Sequence, residues 1–162
     1  MVAGLLPYRG LEVAVVVLAN VANLLVVAVF LARAWRRPDV SHAAGVPLML
    51  LALPMAAAAV VNAVAGRPWW LVWLPAPFVA HCAMELWLDY LRPSDFRRTW
   101  LLVPYLAVFY AGTIGLVGYG FAVSRLAGFI TLATYFLGLA ATGYSYRRVG
   151  HGEAPADSLT QH

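Results

Sequence analysis

The chain has 162 residues, of which 63% are hydrophobic and 11% are charged, and its net charge is +4. Soluble domains average about 25% charged residues, and a soluble domain of this length has too little interior to bury so much apolar surface. Intrinsic disorder is excluded too, because it requires low hydrophobicity and high net charge. The composition therefore predicts a polytopic integral membrane protein.

All eleven basic residues are arginines, and they lie in short clusters at the ends of apolar runs. The positive-inside rule places basic residues there, whereas a nucleic-acid-binding face would gather them on one soluble surface with stacking aromatic residues. We therefore expect the lipid bilayer as a partner and no nucleic acid. Cys82 is the only cysteine, so an internal disulfide and a CxxC redox pair are excluded.

Five apolar runs are long enough to cross a hydrocarbon layer, which takes about 20 helical residues. In chain order they cover 11–31, 46–65, 69–91, 99–121 and 124–146. None alternates apolar and polar residues, so they predict helices rather than barrel strands. We expect one all-α bundle of five membrane-spanning helices over 1–148, followed by a mobile polar tail at 149–162.

The distribution of arginine predicts how the bundle is oriented. Eight of the eleven arginines fall on one side of the predicted membrane. These are Arg33, Arg36, Arg37, Arg92, Arg97, Arg98, Arg147 and Arg148, and the other side has Arg9, Arg67 and Arg125. The larger group belongs in the cytoplasm, so we expect the N-terminus outside and the C-terminus inside, in a prokaryotic cytoplasmic membrane.

Small residues on the fifth predicted span recur at steps of four, at Thr134, Gly138 and Thr142. Such spacing lets helix backbones approach closely in lipid, so it predicts helix–helix contacts. The same surfaces would permit a homo-oligomer or assembly into a larger membrane complex.

The main candidate site is a polar strip on the third predicted span, formed by His81, Glu85 and Asp89. Their spacing of four places them on one helix face within about two turns. His81 falls near mid-depth, and Glu85 lies about one turn deeper than the inner surface. Because a charge inside the hydrocarbon costs about 2.5–3.5 kcal/mol, such a strip is a functional-site hypothesis by default.

In one interpretation the strip is structural. Asp89 would pair with Arg92, three residues later, and Glu85 with Arg33 or Arg36 from the first predicted span. The acids would then contribute to folding rather than to binding.

In a second interpretation the strip is a path for a proton or cation, with His81 and Glu85 exchanging a proton. In a third interpretation His81 and Glu85 are ligands of a metal ion. One histidine and one or two carboxylates from a single helix are too few ligands for a metal, so we predict no metal site, and the sequence indicates no particular cofactor.

Further polar residues lie on other predicted spans. Asn20 and Asn23 are near mid-depth in the first, where asparagine either hydrogen-bonds a neighbouring helix or lines a cavity. Glu12 is expected to be an interfacial charge facing Arg9. Tyr105, on the fourth predicted span, is at the depth of Glu85 and would hydrogen-bond it. An acid beside aromatic rings suits a cationic amphiphile through cation–π attraction.

The first hypothesis is a small membrane protein that binds or conducts a proton, a cation or a cationic lipophilic molecule along this strip. The alternative is a non-catalytic structural subunit of a larger membrane complex. The third is an intramembrane lipid-processing enzyme. The sequence has no GxSxG, HExxH, P-loop or GxGxxG motif, so no catalytic residue is predicted and an enzyme ranks last.

Overall fold

The computed structural model describes residues 8–91, 96 and 99–149. All regular secondary structure in this part of the chain is helical, and five helices are long and apolar enough to cross a membrane. We number these spans 1 to 5: Arg9–Ala34, Asp39–Val64, Trp70–Asp89, Leu102–Val123 and Arg125–Val149. The prediction of an all-α chain is thus confirmed for the described residues, and so is the prediction of five helices long and apolar enough to cross a membrane.

Span 2 consists of two helical segments, Pro38–Leu50 and Ala52–Val64, which meet at Leu51. Pro54 has no N–H to donate to the carbonyl four residues earlier, so a break near Leu51 follows from the sequence. The helix begins eight residues before the predicted position 46, with Pro38 in its first turn, where a missing N–H costs nothing.

Span 3 is divided into three segments. A short helix, Trp70–Trp73, precedes Ala76–Glu85, and a π-helix follows over Leu86–Leu91. Pro75 caps the second segment, as expected where a proline interrupts backbone hydrogen bonding. The π-helix, with its wider i→i+5 turn, begins directly after Glu85. Such segments are rare and occur frequently at functional sites.

Spans 4 and 5 are joined at Ser124, whose backbone is extended. The N–H of Ala127 donates to Ser124 Oγ at 3.1 Å, so the hydroxyl caps the start of span 5. Because of this tight connection the two spans are antiparallel neighbours.

The spans pack through small residues. Span 1 makes its most extensive contacts with span 5, and span 4 packs on span 5 and on the Ala76–Glu85 segment. A Cβ atom at Gly112 would lie 2.8 Å from the Cα of Phe78, too close for any other residue. Gly112 therefore permits the close approach of spans 3 and 4, which brings their polar residues together.

One end of the bundle, where spans 1, 3 and 5 finish and spans 2 and 4 begin, is here called the basic end. Its described arginines are Arg33, Arg36, Arg37, Arg147 and Arg148. Its location in the cytoplasm stays a prediction, as does the mobile tail, which lies outside the described residues from position 150 onward.

Candidate functional site

A cavity of about 530 Å³ lies between the spans at the basic end. All five spans contribute to its wall, and its volume falls within the range of roughly 300–1,000 Å³ usual for small-molecule sites. On span 1 the wall runs from Arg33 inward to Val26, a depth of about 10 Å at 1.5 Å per helical residue. The cavity thus extends from the basic end well into the bundle.

The three residues of the predicted polar strip, His81, Glu85 and Asp89, all line this cavity. His81 lies deepest, roughly 12 Å along the span from Asp89. Its Nε2 is 3.5 Å from Glu85 Oε2, and the two side chains are 4% and 21% exposed, respectively. The structure therefore places the strip on one cavity wall, with the carboxylate of Glu85 accessible from the cavity.

Glu85 also contacts span 4, since the hydroxyl of Tyr105 donates to its Oε2. Hydrogen bonds to an ionised acceptor are about twice as strong as neutral ones. Tyr105 and Glu85 come together as their equal depths predicted, and Tyr105 also lines the cavity.

The arginines proposed as structural partners of the strip are placed differently. Arg33 lines the same cavity as Glu85, whereas Arg36 lies beyond the end of span 1 with a positive φ of 55°. Arg92, the predicted partner of Asp89, lies outside the described residues.

The imidazole of His81 is held between two aromatic rings of span 4. Its ring centroid is 5.0 Å from that of Tyr105 and 5.0 Å from that of Phe109, at interplanar angles of 60° and 64°. These are favourable edge-to-face arrangements. Its second nitrogen, Nδ1, is buried and has no hydrogen-bond partner in the described part of the chain.

Aromatic rings form much of the rest of the wall. Phe109 and Tyr110 on span 4 have centroids 5.2 Å apart, and Phe30 on span 1 is 6.3 Å from Tyr146 on span 5. All four residues line the cavity. Sequence reasoning assigned none of them to the site, because an aromatic residue in a membrane helix gives no signal of whether it faces lipid or a cavity.

The start of span 2 also lines the cavity, through Asp39, Ser41, His42 and Gly45. Asp39 pairs with Arg37 at 3.3 Å at the exposed rim. These residues were missed because a polar stretch before an apolar run resembles a loop. Proline at position 38, favoured in the first turn of a helix, was the available signal.

Asn20 and Asn23 are not brought into this cavity. Asn20 Nδ2 donates to Thr131 Oγ1 at 3.1 Å, and Thr134 Oγ1 donates to Asn20 Oδ1 at 2.9 Å. Asn23 Nδ2 donates to Thr134 Oγ1 at 3.0 Å. The two asparagines therefore connect spans 1 and 5, and Asn23 also lines a small separate cavity of about 10 Å³.

A separate polar cluster lies at the opposite end. Arg67 forms an ion pair with Glu12, and their side chains are 5% and 10% exposed. Arg67 Nη1 also donates to Asn62 Oδ1 at 2.8 Å, and Asn62 Nδ2 donates to the carbonyl of Leu71 at 3.2 Å. The partner of Glu12 is thus Arg67 rather than the predicted Arg9.

Among the described residues, no group of three or more His, Cys, Asp and Glu side chains is arranged to hold a metal ion. The arrangement of the cavity is instead one of carboxylates, an imidazole and aromatic rings, which can balance and surround an organic cation. No protein-family model, curated protein or solved structure matches the chain.

Proposed function

We propose that this chain is a membrane-embedded binding protein for a lipophilic organic cation, with Glu85 as the counter-charge. The observation that supports this most is the cavity of about 530 Å³ that brings Glu85, Tyr105 and His81 together. Of the three ligands that the sequence analysis considered, a proton, a cation and a cationic lipophilic molecule, this proposal takes the third.

Charge is the first argument. Glu85 lies one turn inside the basic end, and its carboxylate is contacted by the hydroxyl of Tyr105 and the ring of His81. An acid at such depth is costly unless something compensates its charge. In the described part of the chain, three acids, Asp39, Glu85 and Asp89, line the cavity with one arginine, Arg33. A bound cation adds positive charge to this acidic lining, and its attraction to a carboxylate is strong where water is displaced.

The wall is the second argument. Tyr105, Phe109 and Tyr110 present rings from span 4 to the cavity, and Phe30 faces it from span 1. Aromatic faces attract cations and pack against alkyl groups. Val26, Leu48 and Leu106 add apolar surface to the same cavity. A ligand with both a positive charge and a hydrocarbon portion matches this lining.

The test uses the purified full chain in phosphatidylcholine nanodiscs, with empty nanodiscs as background. The probes are N-methyldodecylamine, which is cationic near pH 7, and dodecanol, a neutral amphiphile of the same chain length. We expect saturable binding of the amine that is about tenfold to a hundredfold weaker in Glu85→Gln. Equal binding of the amine by both proteins would overturn the proposal.

The matched control is the double variant Glu12→Gln with Arg67→Gln, which removes a buried acid and its partner away from the cavity. Since it removes both charges together, it leaves no uncompensated charge and should fold. Its affinity for the amine should equal that of the wild type.

Proton conduction is a second candidate, favoured by the 3.5 Å separation of His81 Nε2 and Glu85 Oε2. A small movement would bring these atoms within the 2.6–3.2 Å reach of proton transfer. Proteoliposomes with an internal pH dye test it. Dissipation of a pH gradient by the wild type but not by Glu85→Gln would support conduction, and an intact gradient with the wild type would eliminate it.

The two remaining hypotheses make different predictions. A structural subunit predicts that Glu85→Gln disrupts co-purification with a partner and that no amphiphile binds saturably. An enzyme requires a nucleophile or an activated water within about 3 Å of a substrate atom.

A further inference from the structure

The deep end of the cavity contains a buried nitrogen without a partner. Nδ1 of His81 has no hydrogen bond in the described part of the chain. The residue is only 3% exposed, and its ring is enclosed by Tyr105 and Phe109 at 5.0 Å each. Buried polar atoms are nearly always hydrogen-bonded, so an exception calls for a physical reason.

The other ring nitrogen indicates what Nδ1 needs. Nε2 faces the Glu85 carboxylate oxygen at 3.5 Å, and a carboxylate is an acceptor, so Nε2 is assigned the proton. In a neutral imidazole Nδ1 is then an acceptor. The tautomer follows from the partner of Nε2, the usual basis for such an assignment. What Nδ1 lacks is therefore a donor, either N–H or O–H.

We propose that the ligand is a protonated amine that retains at least one N–H, which it donates to His81 Nδ1 while Glu85 balances its charge. The inference rests on the proposed function and narrows its ligand class. A quaternary ammonium ion has the charge but no N–H, so it leaves Nδ1 without a partner. A site with an unpaired acceptor discriminates strongly against a ligand that lacks the matching donor.

Binding requires a rotation of the imidazole, because Nδ1 is closed off from solvent by the surrounding packing. The torsion about the Cβ–Cγ bond of histidine is broad and roughly two-fold, so the ring can turn with little torsional strain. Since His81 lines the cavity, a turn of the ring toward the cavity brings Nδ1 to the ligand. The same turn moves Nε2 away from Glu85 Oε2, so the ammonium group replaces the imidazole beside that carboxylate.

The experiment compares N-methyldodecylamine with dodecyltrimethylammonium on the full chain in phosphatidylcholine nanodiscs near pH 7. Both are cations with the same alkyl chain. We expect the amine to bind about tenfold more tightly or better. In His81→Phe, which keeps an aromatic ring between Tyr105 and Phe109, that preference should fall by about tenfold.

The outcomes separate the two proposals. Saturable binding of neither cation would overturn the proposed function. Equal binding of both cations by the wild type would overturn this inference and leave the proposed function standing. If His81→Phe keeps the full preference for the amine, the ammonium N–H donates to Glu85 instead, and the proposed hydrogen bond to His81 Nδ1 is wrong. The wild-type comparison decides the amine class even if His81→Phe does not fold.

Discussion

Two acids of this bundle, Glu12 and Glu85, lie inside opposite halves of it and have different surroundings. Glu12 is in contact with the guanidinium of Arg67, which is itself bonded to Asn62. Glu85 accepts a hydrogen bond from the hydroxyl of Tyr105, lies beside His81 and borders the cavity. The first carboxylate contacts Arg67 within a packed cluster, and the second contacts Tyr105 and His81 at the border of a cavity.

The difference shows how position determines what a buried acid does. A charge that meets its opposite within the fold connects helices, and removing one partner leaves the other uncompensated. A charge beside a cavity of about 530 Å³ can instead attract a ligand. The comparison predicts that changes at the Arg67 cluster alter stability and that changes at Glu85 alter binding.

The largest expected effect is on stability, in Arg67→Gln. This variant leaves Glu12 buried without its ion-pair partner, so we expect a loss of about 3–5 kcal/mol in the free energy of unfolding. Adding Glu12→Gln should restore most of that loss. Reversible denaturation in mixed micelles measures both. If Arg67→Gln alone is as stable as the wild type, Glu12 is not a structural acid and the contrast with Glu85 fails.

The next effect is on binding, in Glu85→Gln. We expect a loss of about 1.4–2.7 kcal/mol in affinity for N-methyldodecylamine, with affinity for dodecanol unchanged, because only the amine uses the charge. The two dissociation constants in nanodiscs measure this. Loss of folding in place of loss of affinity would make Glu85 a structural residue like Glu12.

A smaller loss of stability is expected in Asn20→Leu, a change on span 1 between the Arg67 cluster and the cavity. It removes the hydrogen bonds to Thr131 and Thr134 that connect spans 1 and 5. Hydrogen bonds between membrane helices contribute about 0.6–1.7 kcal/mol, so stability should fall by about that amount. Affinity for the amine should not change. A large loss of affinity would show that the site extends deeper than the cavity.

The smallest effect is expected in Tyr105→Phe. It removes the donor to Glu85 Oε2 and keeps the ring beside His81. We expect affinity for the amine to weaken by about 0.5–1.5 kcal/mol, because the carboxylate loses the hydroxyl that positions it. Tyr144→Phe is the control, since Tyr144 is exposed on span 5. Equal effects of the two variants would mean that Tyr105 does not position the carboxylate.

Properties that depend on one helix alone could be predicted from the sequence. The length of the apolar runs predicted five spans, and helical periodicity placed His81, Glu85 and Asp89 on one face, which the structure shows lining a cavity. Equal predicted depth indicated the contact between Tyr105 and Glu85, because the sequence places both residues about one turn from the same end of their predicted spans.

Properties that depend on how helices are rotated against each other could not be predicted. Arg67 is 55 residues from Glu12 in sequence, and no periodicity indicates that these residues face each other. The aromatic wall of Phe30 and Phe109 was missed for the same reason. The π-helix after Glu85 was missed because its residues are ordinary apolar ones, and tertiary packing determines the local hydrogen-bonding pattern.

The most direct test is the location of a bound amine. A bromine-labelled analogue of N-methyldodecylamine, co-crystallised with the full chain in a lipidic phase, reports its position through anomalous scattering. We predict bromine signal from the cavity at the basic end, with the ammonium group within hydrogen-bond distance of the Glu85 carboxylate. Bromine signal from the lipid-facing surface, with the cavity filled by ordered water, would contradict the account.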